Sequence, residues 1–140
     1  GYAYGDEPWV GDFGASEGDV GWYKEGLVKY EQFISPVKHR YAGYWDHGNE
    51  AAGEQHHYTE YADFIEWVTP TPSYVYFSNS FDACCSATSA LQTVYNRVIN
   101  IAWLNQILLP GDSKDHILFI GMATVDPLIA FPKKPETVLE

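Results

Sequence analysis

The sequence predicts a mostly α fold: an irregular helical domain of about four to five helices built on a long central helix, preceded by an extended arm rich in glycine and aromatics. Three observations predict it. Apolar residues recur at helical spacing in Tyr23, Leu27, Tyr30 and Ile34, and again in Tyr58, Tyr61, Ile65 and Val68. Residues 81–109 run unbroken to Pro110-Gly111 with apolar side chains along one seam. Proline and glycine stand at the ends of these stretches, where helices stop. The 140 residues suffice for one domain with a real core. The layout read is an arm over residues 1–19, a single helical domain over 20–131 and a C-terminal tail over 132–140.

In the arm, Gly1, Gly5, Gly11, Gly14 and Gly18 alternate irregularly with Tyr2, Tyr4, Trp9, Phe13 and acids, and no period of 2 or 3.6 survives. Unpatterned aromatics of this kind are expected to dock on a surface, the domain's own or a partner's. Asp19 suits an N-cap for the first helix. Ser35-Pro36 ends that helix and opens a second, with Val37, Tyr41, Tyr44 and Trp45 on one side and Gly48 as its stop. Asn49 caps a third helix to about Val68, closed by Thr69-Pro70-Thr71-Pro72. Ser73 to Phe77 reads as a short strand or an extended crossing. Ser80 caps the long helix over 81–109, whose seam carries Ala87, Leu91, Val94, Val98, Ile101 and Leu108. Arg97 falls in the middle of it and should pair with a carboxylate, Glu50, Glu54 or Glu60 first. Residues 113–125 form a last helix, with Ile117 to Ile120 equally readable as strand. The Lys133-Lys134-Pro135 tail reads as solvated.

The net charge is −11, concentrated in residues 1–66, which hold 13 Asp/Glu against four Lys/Arg. Such a surface repels phosphate backbones, so nucleic acid is excluded as a partner and a protein partner with a basic surface is favoured. No transmembrane span is read: Gln92, Asn96, Asn100, Asn105 and Gln106 interrupt the longest apolar stretch. A chain starting at Gly1 whose only methionine is Met122 fits either removal of a secretory, lumenal or organellar presequence or trimming of a tag. The adjacent Cys84 and Cys85 imply no disulfide framework.

Chemistry-bearing residues gather between Asp46 and Glu60, which hold three of the five histidines and four carboxylates. On a helix, Glu50, Glu54 and His57 continue the apolar stripe, and His47 arrives across Gly48. Imidazoles and carboxylates on one face suit a divalent cation such as zinc, iron or manganese, and Glu54-x-x-His57 is the i, i+3 pair of di-metal bundles. The alternative is a charged helix end in water, where acids complement the helix dipole. No catalytic signature is complete. Gly14-Ala15-Ser16-Glu17-Gly18 matches G-x-S-x-G without the preceding strand, and Ser113, Asp115 and His116 stand too close in sequence for a triad.

Gly18-Asp19-Val20-Gly21-Trp22, followed by Gly26-Leu27, resembles the short motif before the first membrane helix of chlorophyll-binding light-harvesting proteins. The spanning helix with its ligands does not follow, and no residue roles are carried over. The function expected is a non-catalytic accessory or interaction subunit that docks into a larger assembly through Tyr2, Tyr4, Trp9 and Phe13. Of the 23 aromatics, 19 lie at or before Phe81, many outside any regular core pattern, and such aromatics behave as interface anchors. A small metal-binding protein or metal-dependent enzyme built on Glu50, Glu54, His57 and His47 is the alternative.

Overall fold

The computed structural model describes residues 2–6, 19–46, 61–79, 91 and 97–139, and within them every regular element is a strand. The strands are β1 (Tyr2–Asp6), β2 (Asp19–Tyr23), β3 (Gly26–Val28), β4 (Gln32–Ile34), β5 (Tyr41–Asp46), β6 (Tyr61–Thr69), β7 (Tyr74–Ser78), β8 (Arg97–Ala102), β9 (Ile117–Asp126) and β10 (Phe131–Lys133). They form two antiparallel sheets, β1-β8-β7-β4 and β10-β9-β6-β5-β2-β3.

The six-stranded sheet is apolar on both faces. Along β5 and β6 the side chains alternate as a strand requires. Ala42, Tyr44, Ile65 and Trp67 go to one core, while Trp45, Ala62 and Phe64 go to the other, with Tyr41 against it. The first core lies between the sheets, where Val75, Phe77, Ile99 and Ile101 of the smaller sheet meet those residues. The second lies inside the curl of the larger sheet. Trp22 of β2 and Phe131 of β10 bring their rings to 6.1 Å, although β5, β6 and β9 separate the two strands in sheet order. Only a sheet bent into a half-barrel brings them together, the outcome that strand twist favours.

One glycine makes the curl possible. A Cβ on Gly43 would stand 1.9 Å from the backbone oxygen of Asp63 and 2.5 Å from Nε1 of Trp22. The bare backbone at this point lets the buried indole of Trp22 donate to the Asp63 carbonyl at 2.9 Å. Beside it, the Asp63 carboxylate accepts from the Tyr44 backbone N–H. Direct β5–β6 pairing is confined to Tyr41–Glu66 and Ala42–Ile65, so these side-chain bonds hold the strands where the ladder ends.

The mostly α fold expected from the sequence, and the all-α class with it, is overturned. The first expected helix is β2, β3 and β4, with Asp19 opening a strand where it was read as a cap. Within the second lies β5. Ser35-Pro36 does break the chain: the Ser35 carbonyl accepts from His39 N–H at 2.9 Å in a turn. The described end of the third is β6, and the described end of the long helix is β8 followed by an extended loop. The last is β9, as the strand reading of residues 117–120 had it, and β7 likewise matches the strand reading of residues 73–77. The physical reason is clearest in β5 and β6, whose side chains enter a core on each face. A strand covered on both faces carries a nearly continuous apolar run, which single-sequence periodicity cannot separate from a buried helix. The enrichment in Tyr, Trp, Val and Ile was the strand signal.

Arg97 opens β8, opposite Asp6 of β1, so its expected position midway along a core helix is corrected as well. No helix among the described residues is long and apolar enough to cross a membrane.

Candidate interaction surface

The β8–β9 connection, residues 103–116, is a built projection. Trp103 anchors its base, donating from Nε1 to the Pro70 carbonyl at 2.8 Å and meeting the His116 ring edge-on at 4.5 Å. Leu104 N–H donates to Ser73 Oγ at 2.9 Å, and Lys114 Nζ reaches Gln106 Oε1 at 3.1 Å across the loop. At the tip the Leu109 carbonyl accepts from Asp112 N–H at 2.9 Å. Pro110 and Gly111 fill the two central positions of that turn, Gly111 at φ +89°. This is the type II geometry, which selects proline first and glycine second.

A loop so internally bonded nevertheless leaves its aliphatic side chains in water. Ile107 is 75% exposed, Leu108 59% and Leu109 62%, with Leu104 beside them. Three consecutive exposed aliphatics in a fixed loop mark a contact site more strongly than scattered ones. Covering them would contribute about 1.5–3 kcal/mol per side chain. Asp112 and Asp115 flank the apolar tip. A second exposed pair, Leu128 and Ile129, lies in the β9–β10 turn at the other end of β9.

Inside the half-barrel a separate polar cluster forms. Glu66, on β6, pairs with Lys134 Nζ at 2.8 Å, both side chains being mostly buried, and accepts from the Thr137 hydroxyl. The ammonium also lies 5.1 Å from the Phe64 ring centroid and 5.6 Å from that of Tyr41. Burial, and then the Glu66 charge, push the Tyr41 phenol above its ordinary range. The solvated tail expected around Lys134 is corrected here: the lysine turns inward because a mostly buried carboxylate needs a counter-charge. Other buried carboxylates are satisfied locally, Glu31 accepting from the Ser78 hydroxyl at 3.2 Å and from Asn79 N–H at 3.0 Å. On the outer surface the Lys38 hydrogen bond holds the Glu25 carboxyl below its usual range, and the buried His39 approaches the same carboxylate at 3.6 Å.

Of the residues singled out in the sequence, Glu50, Glu54, His57 and His47 lie outside the described residues, as do Trp9 and Phe13. Among the described residues no group of three or more His, Cys, Asp and Glu could hold a metal ion. Tyr2 and Tyr4 belong to β1, opposite Ile101 and Ile99 of the chain's own sheet. Ser113, Asp115 and His116 lie on the returning arm of the loop, where His116 packs on Trp103. In sequence, residues 107–109 read as the end of a core helix, and Pro110-Gly111 is the signal that marks a turn tip. Comparison with protein families, curated proteins and solved structures found no match.

Proposed function

We propose that this chain is a non-catalytic interaction subunit, which docks through the apolar tip of its β8–β9 loop into a basic-rimmed apolar depression on a protein partner. The observation that carries the reading is the exposure of Ile107, Leu108 and Leu109 in a loop already fixed by its own hydrogen bonds. Preorganisation of this kind lowers the entropy lost on docking. The net charge of −11 supports the choice of a basic partner. The first residues of the arm pair within the chain's own sheet, which leaves Trp9 and Phe13 as the arm's contribution to the same proposal.

The test is the triple variant Ile107→Ser, Leu108→Ser, Leu109→Ser. Because the side chains are exposed, its unfolding free energy should stay within about 0.5 kcal/mol of the parent. Its affinity for the partner isolated from the natural source should fall at least about 100-fold, the loss expected when two or three anchoring aliphatics are removed. Full retention of affinity in a folded triple variant contradicts the proposal.

A further inference from the structure

The inward-turned Lys134 points to a binding site distinct from the loop. Its three receptor groups, Tyr41, Phe64 and Glu66, all stand on β5 and β6, in the middle of the larger sheet. The ammonium they hold comes from elsewhere: a segment beyond β10, an edge strand of only three residues. From Lys133 to Leu139 only Lys134 and Thr137 are not solvent-exposed, and both do so at Glu66. The tail therefore adheres here through Lys134 and Thr137. Within the tail the ammonium donates to the Pro135 carbonyl at 2.6 Å and to the Thr137 hydroxyl at 3.3 Å, and the sheet supplies its charge and ring partners. These are a carboxylate at 2.8 Å and two ring faces at 5.1 and 5.6 Å, in a largely water-excluded setting that strengthens both contributions.

We infer that Tyr41, Phe64 and Glu66 form a receptor for a primary alkylammonium group, the end of a lysine side chain, and that Lys134 is its tethered occupant. The tether gives Lys134 an effective concentration in the millimolar range. A lysine from a partner displaces it only when that partner is itself held nearby, which makes the site selective for lysines delivered by docking. The inference stands on the half-barrel interior alone and does not depend on the loop tip.

The experiment frees the site and refills it. Lys134→Ala should lower the midpoint of thermal unfolding by about 5 °C. Nα-acetyl-lysine N-methylamide should then restore most of that shift and move the ring signals of Phe64 and Tyr41 saturably, with half-saturation in the millimolar range. The norleucine analogue, which keeps the stem and lacks the amine, should do neither at matched ionic strength. Adding Glu66→Gln should abolish the response. Lys134→Ser, whose short side chain also leaves the site open, is titrated in parallel, so a failure of the alanine variant to fold leaves the test in place. Equal effects of the lysine and norleucine probes, no binding of either to the folded variants, or a response that persists without Glu66 overturns the assignment.

Discussion

Replacing Gly43 with alanine is expected to destabilise the protein by about 3 kcal/mol, the upper part of the range for overpacked sites. The new methyl group would stand 1.9 Å from the Asp63 carbonyl oxygen, which is backbone and cannot rotate away. To make room, β5 and β6 must part, and the bond from Trp22 Nε1 to that same carbonyl goes with them. A buried indole N–H without an acceptor adds a further cost of about 1–3 kcal/mol. Urea unfolding followed by tryptophan fluorescence measures the sum. A loss below about 0.5 kcal/mol would mean that the two strands do not approach as closely as the half-barrel requires.

Trp22→Ala is the second large effect, expected at about 3–5 kcal/mol. Trp22 is fully buried and fills the curl, with its ring 5.5 Å from Tyr41 and 6.1 Å from Phe131. Its removal leaves a void between β2 and β10, which are not neighbours in the sheet order. Trp22→Phe keeps most of the apolar volume and loses the hydrogen bond, so it should fall between alanine and the parent. A phenylalanine variant as unstable as the alanine one would assign the residue's contribution to the Asp63 bond, with the packing adding little. An alanine variant within about 1 kcal/mol of the parent would show that the curl is not held at Trp22.

How much of this was legible beforehand depends on which residues are asked. The punctuation was: Ser35-Pro36, Thr69-Pro70-Thr71-Pro72 and Pro110-Gly111 all fall where the chain turns or leaves a strand. The element type was not. Tyr61, Ile65 and Val68 fit a helical stripe, yet β6 uses Ala62 and Phe64 for one core and Ile65 and Trp67 for the other, and a run apolar on both faces satisfies either period. Gly43 illustrates a different limit. Its sequence neighbours, Ala42 and Tyr44, carry no hint of the close approach to Asp63, which arises from pairing across a long stretch of chain. The same holds for Lys134, which sits in a Lys-Lys-Pro tail that any sequence reading places in water. Its partner Glu66 lies 68 positions earlier, and only the curl brings the two together.

The candidate interaction surface was hidden by that same misassignment. As the end of a core helix, Ile107, Leu108 and Leu109 would be buried side chains; as a loop beyond β8 they are exposed. Once residues 97–102 are a strand, the composition of the loop becomes informative. Strand-to-strand connections are ordinarily polar, with turn residues at defined positions. This one keeps the turn residues, Pro110 and Gly111, and puts aliphatics where polar side chains would serve the isolated fold better.

The measurement that bears most directly on this account is amide hydrogen exchange of the chain alone and in complex with the partner recovered from its source. The account predicts that amides of residues 104–112 gain protection in the complex, with the core strands β5 and β6 unchanged. Protection confined to other surfaces, with residues 104–112 exchanging equally in both states, would contradict it.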